Sequence, residues 1–381
     1  MQFSCTQENL NVGLQVTSHL AGKQVNLPIL NNVLISCDQT NIKLTTTNLE
    51  IAVNCTIRGK VEKPGDFTVP SKLLADYISL LPKDKVNIKQ NDTTLELSCG
   101  TYSTKINGIS SQEFPLIPTV EDTHSFTIPV QELRRAISQV QFSVAPNEAR
   151  PEIGGVLMKF IPVNNDSHLY LAGTDSYRLA ERAITVIPNK PLTQPVQIIV
   201  PVRTVAEVVR VLGVLKDNAD TPEKVDLRIG ESQIMFSYGP IDLISRIIEG
   251  KYPDYQQLVP QNFATQIITD RAELIRAIKT TSLFSRSGIN DISLSFSATG
   301  IVVKAVNAQT GEQTTSLPAI TTGNDLTITV NYRYFLDGVQ AMETDQVAIL
   351  LNDGNAPCIV KPASDNKITE GYLYIVMPIR Q

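Results

Sequence analysis

The stretch FSCTQENLNVGLQVTSHL at residues 3–20 decides the fold, because the chain repeats its design twice. A short strand-like run is followed by apolar residues at helical spacing. The same pattern returns as FTIPVQELRRAISQVQFS at 126–143 and as IITDRAELIRAIKTTSLFS at 267–285. The copies begin about 123 and 141 residues apart, which is the length of a domain and too long for a solenoid unit.

A second strand–helix unit lies inside each repeat. It reads FTVPSKLLADYISLL at 67–81, IIVPVRTVAEVVRVL at 198–212 and ITVNYRYFLDGVQAM at 328–342. Between the helices, apolar and polar residues alternate, as at 41–47 and 225–229, which predicts strands. Each third of the chain is therefore predicted to be an α+β domain with two helices and several antiparallel strands.

Matching proline-containing segments separate the thirds. EFPLIP at 113–118 ends the first third, and YPDYQQLVP at 252–260 ends the second. The 381 residues are therefore predicted to form three similar domains, at 1–120, 121–255 and 256–381.

The composition predicts a cytoplasmic protein that does not enter a membrane. The N-terminal residues lack the basic and apolar regions of a signal peptide, and no apolar run reaches about 18 residues. Five cysteines form an odd set without a CxxC pair, which is typical of reduced, partly buried thiols.

The net charge of −5 hides an uneven distribution. Six helix windows (6–20, 70–82, 129–143, 201–216, 270–286 and 331–342) contain eleven basic and seven acidic residues. The windows therefore carry +4, which leaves −9 on the rest of the chain. Basic helices on an acidic body suggest a surface that meets a polyanion, although ordinary solvated helix faces would give the same count.

Helix dimensions limit how such a surface could surround DNA. Six helices packed side by side at about 8–10 Å would leave a hole of about 10 Å or less. A duplex is about 20 Å wide, whereas twelve helices would leave a hole of about 20–28 Å. A ring around a duplex would therefore need two chains.

The sequence contains no catalytic or metal-binding motif. It has no GxG fingerprint, no P-loop and no HExxH, and its three histidines, His19, His124 and His168, are far apart. We therefore predict no catalytic residue, no metal and no cofactor. Two alternatives to a DNA-encircling protein stay open, a peptide-binding scaffold that never surrounds DNA and an enzyme with an unrecognised site.

Several strings, in this order and spacing over the full length, carry a resemblance to a known family. They are LPIL at 27–30, EFPLIP at 113–118, FSVAPNEARPEIGGVLMKF at 142–160, TDSYRLA at 174–180, YPDYQQLVP at 252–260 and VMPIRQ at 376–381. With them the chain resembles the beta subunit of bacterial DNA polymerase III, the beta sliding clamp.

The resemblance implies a fold and a function. Two chains, each half of a closed ring, would form a homodimer whose helices line the central hole. Such a ring is not an enzyme: it encircles double-stranded DNA without reading its sequence and gives DNA replication its processivity. The implied partners are a clamp loader, the catalytic subunit of DNA polymerase III, and other polymerases and repair proteins that dock through short linear peptides.

The resemblance also implies a peptide-binding cleft between the second and third domains. Its matching residues are Ile153, Thr174, Ser176, Arg178, Leu179, Pro253, Leu258, Ile375, Met377, Pro378, Ile379 and Arg380. The apolar members suit an adaptable floor, and Arg178 and Arg380 suit carboxylates or carbonyls of the peptide. Ser176 stands where glycine is common and Gln257 where a basic residue is frequent, so the peptide preference is open.

Two further sets follow from the resemblance. The expected DNA contacts are Lys23, Arg134, Arg135, Asn147, Arg203, Arg210, Arg276 and Lys279. At the dimer interface, the expected residues are Tyr102, Leu283 and Phe284, with local core packing as the alternative for them. Pro151 and Glu152 replace an aromatic pair of some relatives, so no stacking contact is expected there.

Overall fold

Helices occupy all six strand–helix units predicted from the sequence. The computed structural model describes residues 1–21, 27–121, 123–146, 149–163, 166–215, 222–260 and 262–380. The six helices in these ranges are α1 (Gln7–Thr17), α2 (Ser71–Ser79), α3 (Val130–Val140), α4 (Val202–Val214), α5 (Arg271–Ser282) and α6 (Tyr332–Ala341). Each directly follows a β-strand, so the predicted repeat is confirmed. None of these helices is long and apolar enough to cross a membrane.

The strands are short and distributed along the whole described chain. The first nine are β1 (Gln2–Thr6), β2 (Asn32–Cys37), β3 (Ile42–Thr47), β4 (Ile51–Ile57), β5 (Lys60–Lys63), β6 (Gly65–Pro70), β7 (Lys85–Asn91), β8 (Thr94–Cys99) and β9 (Tyr102–Asn107). The next eight are β10 (His124–Pro129), β11 (Gly155–Val163), β12 (Asp166–Thr174), β13 (Arg178–Pro188), β14 (Val196–Pro201), β15 (Lys224–Ile229), β16 (Gln233–Tyr238) and β17 (Ile241–Arg246). The last ten are β18 (Thr265–Asp270), β19 (Asp291–Ser297), β20 (Gly300–Asn307), β21 (Gly311–Leu317), β22 (Ile320–Gly323), β23 (Leu326–Asn331), β24 (Gln346–Leu351), β25 (Cys358–Ser364), β26 (Lys367–Ile368) and β27 (Tyr372–Val376).

The chain divides into two compact units. Unit 1 contains residues 1–134, 186–192 and 206–247, and unit 2 contains residues 135–185, 193–205 and 248–381. The units differ from the three predicted thirds because each contains a sheet built from strands of two neighbouring thirds. The domain limits near residues 120 and 255 therefore stay predictions.

Unit 1 contains two antiparallel sheets. Sheet A has the order β5-β1-β7-β8-β9 and ends at the edge strand β9. Sheet B runs β6-β2-β3-β4-β17-β16-β15-β10. Strand β4 of the first third pairs with β17 of the second, from Ile51 opposite Ser245 to Cys55 opposite Ile241. The two thirds thus share one sheet.

Unit 2 repeats this construction. One part of its sheet C has the strand order β14-β11-β12. Another part has the order β13-β27-β25-β24-β18-β22. Strand β13 of the second third pairs with β27 of the third, from Arg178 opposite Val376 to Arg182 opposite Tyr372. Sheet D has the order β21-β20-β19-β23, with β21 at one edge.

Local chemistry explains why helices start where they do. The side chains of Thr6, Asp270 and Asn331 accept hydrogen bonds from the first free N–H groups of α1, α5 and α6. On α1, a Cβ at Gly13 would lie 2.7 Å from a methyl carbon of Ile57 and 2.8 Å from one of Leu44. Glycine therefore lets α1 pack closely on β3 and β4.

Candidate docking cleft and DNA-facing helices

A tight turn in unit 2 connects β12 to β13 and starts the candidate cleft. Thr174 Oγ1 donates to Arg178 O at 2.7 Å and accepts from Ser176 N at 3.1 Å. Asp175 Oδ1 accepts from the N–H groups of Tyr177 and Arg178 at 2.9 and 3.0 Å. Ser176 has a φ of +76°, the left-handed region that favours glycine, so this serine is held in a strained conformation.

The C-terminal segment lies against this turn. Leu179 pairs with Ile375 across β13 and β27, and both side chains are buried. Beyond the strand, Met377 N donates to Tyr177 O at 2.9 Å and Ile379 N donates to Thr329 O at 2.7 Å. Residues 377–379 are therefore held in place by backbone hydrogen bonds.

The segment 252–260, which we call the second linker, packs on sheet C of unit 2. Tyr252 and Tyr255 are buried in one apolar cluster with Leu179 and Ile375. A 3-10 turn, Gln256–Leu258, follows, and Leu258 N donates to Tyr255 O at 2.9 Å. Leu258 itself is 46 % exposed, so the linker presents an apolar side chain at the surface.

All twelve residues of the expected cleft lie in unit 2, with graded exposure. The buried members are Ile153, Thr174, Leu179 and Ile375. The partly exposed members are Arg178, Pro253, Met377, Pro378 and Ile379. The exposed members are Ser176, Leu258 and Arg380. This gradation matches an apolar floor with a polar rim.

Arg178, expected to bind carboxylates or carbonyls of a peptide, already has partners within unit 2. Its guanidinium is 12 % exposed and donates to Asp175 Oδ2, to Asp337 Oδ2 and to Phe142 O. It also lies over the ring of Tyr334, 4.5 Å from the centroid. Arg178 therefore holds the turn against Phe142 and against α6, and its contact with a peptide stays a prediction.

Arg150 is a cleft residue that the sequence did not indicate. Its Nη1 donates to Ser176 Oγ at 3.1 Å, and its Nε donates to Glu152 Oε1 at 3.0 Å. The two side chains are 26 residues apart in sequence, so no local pattern predicts this contact.

Seven of the eight expected DNA contacts fall into three groups. Arg203, Arg276 and Lys279 are exposed on α4 and α5, and no ion pair is recorded for them within the described residues. Arg134 is partly exposed on α3, and Arg135 pairs with Glu343 at 2.8 Å. Lys23 and Asn147 lie outside the described residues.

Arg210, an expected DNA contact, has several partners within unit 1. Its guanidinium donates to both carboxylate oxygens of Glu207, at 3.0 and 2.6 Å, and to the carbonyls of Gln15 and Val16 near the end of α1. Glu207 is buried and also contacts His19 Nδ1 at 2.7 Å. Arg210 therefore places a positive charge at a helix C-terminus, and its contact with DNA stays a prediction.

Two surfaces carry the residues expected at a dimer interface. In unit 1, Tyr102 is exposed at the start of the edge strand β9. In unit 2, Leu283 is 75 % exposed just after α5, whereas the Phe284 ring is half-buried and reaches to 4.0 Å from the Cβ position of Gly311 on β21. Leu283 is thus free of the core, and Phe284 contributes partly to it.

Helix α2 adds an apolar surface that we did not predict. Its core face holds Leu74 and Ile78, while Leu73 and Leu80 are 55 % and 83 % exposed on another face. The sequence indicated this surface, because a solvated helix face rarely carries two leucines about two helical turns apart.

The cysteines are buried thiols that do not ionise readily. All five are buried and free, and burial raises the pKa of the Cys5, Cys37 and Cys55 thiols to about 12. Among the described residues, no cluster of three histidine, cysteine or acidic side chains could hold a metal ion.

The fold itself, six strand–helix units in three similar domains, is that of a sliding clamp. The Pseudomonas aeruginosa DNA polymerase III subunit beta has a TM-score of 0.90 at 27% identity, with all of both chains covered. A sliding clamp from the same organism bound to griselimycin gives 0.91 at 27% identity over all of both chains. The Bacillus subtilis clamp gives 0.91 at 25% identity, covering 100% of this chain and 99% of that one.

Sequence comparison identifies the family. The models of the DNA polymerase III beta subunit match in order, with the N-terminal domain at residues 1–118, the central domain at 127–254 and the C-terminal domain at 256–380. The Synechococcus elongatus beta sliding clamp is 30% identical over 385 residues, covering 100% of this chain and 99% of that protein. This chain belongs to the DNA polymerase III beta subunit family. It is a sliding clamp rather than an enzyme.

Proposed function

We propose that two copies of this chain close into a ring around duplex DNA and tether replication and repair proteins to it. The observation that carries the proposal is the sixfold strand–helix repeat, matched along the whole chain by three domain models of one family. The repeat also supports domain limits near residues 120 and 255. A cytoplasmic location accords with a partner that is DNA.

Edge strands support ring closure. Sheet A ends at β9 and sheet D ends at β21, and unpaired edges of this kind invite pairing with another chain. Both units also have exposed leucines, Leu73 on α2 and Leu80 directly after it in unit 1, and Leu283 directly after α5 in unit 2. A head-to-tail contact between β9 of one copy and β21 of another would cover both edges and would bring twelve helices into the ring.

Exposed cations on the helices support contact with DNA. Arg203, Arg276 and Lys279 would attract phosphates without reading bases, so the ring would slide. Retention would then come from the closed ring rather than from affinity. Opening and closing such a ring requires a clamp loader.

The graded cleft of unit 2 supports docking of short linear peptides from the polymerase and other partners. Leu258, Met377 and Ile379 offer apolar surface, and Arg380 offers a charge at the rim. The Pseudomonas aeruginosa clamp binds griselimycin, and we propose this molecule as a probe for the cleft.

The decisive experiment measures escape from DNA. The protein is loaded by its clamp loader onto a nicked circular plasmid, and its dissociation is compared before and after the plasmid is cut. We expect retention on the circle and rapid loss after cutting. Equal loss from both forms would contradict the ring.

A charge-reversed variant separates the clamp from a scaffold that never surrounds DNA. Glutamate at Arg203, Arg276 and Lys279 is expected to reduce loading and to weaken its salt dependence. Replacing Lys43, Lys60 and Lys367, three exposed strand lysines outside β9 and sheet D, with glutamate is the matched control and is expected to leave loading unchanged. Equal loading by both variants would favour the scaffold.

A further inference from the structure

A carboxyl group on β13 is hydrogen-bonded to the second linker. The Tyr255 hydroxyl donates to Glu181 Oε2, and the tyrosine ring is buried in the cluster that contains Leu179 and Ile375. Glu181 follows Leu179 by two residues, so both side chains project from the same face of the strand. The cleft floor and the partner of Tyr255 therefore belong to one strand face.

Tyr255 controls the conformation of the linker residues beside it. Its carbonyl accepts from Leu258 N at 2.9 Å and so closes the 3-10 turn that exposes Leu258. Pro253 precedes it by two residues, and Tyr252 is fixed separately, with its hydroxyl donating to Ala172 O at 3.3 Å. A displaced Tyr255 would move both Pro253 and Leu258.

We propose that the Tyr255–Glu181 hydrogen bond positions the second linker as one wall of the docking cleft, so that Glu181 sets the affinity of the cleft without touching the bound molecule. The affinity part of this inference rests on the proposed function. Glu181 is a positioning residue, because it lines a pocket that contains none of the twelve expected cleft residues.

The surroundings of Glu181 make the bond sensitive to pH. Burial raises the pKa of its carboxyl, and the Tyr255 hydroxyl and the charges of Lys159 and Lys361 oppose that shift. His168, Tyr170 and Glu370 line the same pocket of about 460 Å³, and Lys361 Nζ contacts Glu370 Oε2 at 3.3 Å. A hydrogen bond to an ionised carboxylate is roughly twice as strong as one to a neutral group. The linker is therefore held more firmly when Glu181 is ionised.

The test follows griselimycin affinity by calorimetry as the pH is lowered through the raised pKa of Glu181. We expect the affinity of the unmodified protein to fall about fivefold. Glu181→Gln keeps an oxygen acceptor for Tyr255, so its affinity should stay at the lower value at every pH. Tyr255→Phe should behave in the same way. Glu370→Gln removes a carboxyl that lines the same pocket and should keep the full pH dependence.

Hydrogen exchange of the unliganded protein tests positioning without any ligand. Glu181→Gln and Tyr255→Phe should speed exchange at the Leu258 amide, whereas Glu370→Gln should not. The thermal midpoint of Glu181→Gln should not fall, because burial disfavours the ionised carboxylate in the folded protein. Unchanged exchange, or a pH step that persists in Glu181→Gln, would overturn the inference. If the unmodified protein does not bind griselimycin, the affinity part of the inference is contradicted for this ligand, and the exchange result still decides the positioning role.

Discussion

Two sheets join neighbouring thirds of the chain through strand pairs of the same kind. The linkers beside these two junctions differ. Sheet B joins the first and second thirds through β4 and β17, and sheet C joins the second and third through β13 and β27, each over five residue pairs. Each junction also has an arginine that donates to carboxylate and carbonyl groups, Arg210 in unit 1 and Arg178 in unit 2.

The linkers account for the difference. In the first linker, 113–118, Phe114 packs with Ile29 and Leu30, while Leu116 is 97 % exposed. The second linker is instead fixed by two buried tyrosines whose hydroxyls donate to Ala172 O and Glu181 Oε2. We therefore propose that the second junction is suited to docking because its fixed linker presents side chains in one arrangement.

The largest effect is expected at the arginine of unit 2. Arg178→Ala would leave the Asp175 carboxylate, which is 10 % exposed, without its cation and remove the contact with the Tyr334 ring. We expect a loss of about 3 kcal/mol in the free energy of unfolding, measured with urea. Arg203→Ala, an exposed helix arginine, is the control and should change it by less than about 0.5 kcal/mol. Equal small losses for the two variants would mean that the hydrogen bonds and ring contact of Arg178 do not stabilise the fold.

The arginine of unit 1 should matter somewhat less. Arg210→Ala removes donors from the end of α1 and leaves Glu207 buried with His19 as its remaining partner. We expect a loss of about 2 kcal/mol by the same measurement, and less when Glu207→Gln is added because the buried charge is then absent. A larger loss for Arg210→Ala than for Arg178→Ala would contradict this prediction, because the arginine of unit 1 would then stabilise the fold more.

The arginines also show how far the sequence could predict the structure. The strand–helix units were predictable because apolar periodicity is local, and α1 to α6 lie where it placed them. The engagement of Arg178 and Arg210 was not, since Asp337 lies 159 residues from Arg178 and Gln15 lies 195 residues from Arg210. A sequence does not distinguish an exposed arginine from one that is hydrogen-bonded within the protein. Only the fold shows which carboxylate is near.

The residues of the proposed cleft also include some that the sequence indicated and some that it did not. The strings TDSYRLA and VMPIRQ indicated the turn and the C-terminal segment, and β13 and β27 bring them together. Neither the Arg150–Ser176 contact nor the Tyr255–Glu181 bond follows from those strings, because each joins side chains from separate segments.

The smallest effect, and the most direct test of the comparison, uses one leucine from each linker. Leu258→Ala should weaken griselimycin binding about fivefold, because it removes roughly 1 kcal/mol of apolar contact from the proposed cleft. Leu116→Ala removes an even more exposed leucine from the first linker and should leave the affinity unchanged. Both variants should unfold within about 0.5 kcal/mol of the unmodified protein, since neither side chain is buried. If both weakened binding equally, the first junction would also take part in docking, and the fixed tyrosines of the second linker would not explain its function.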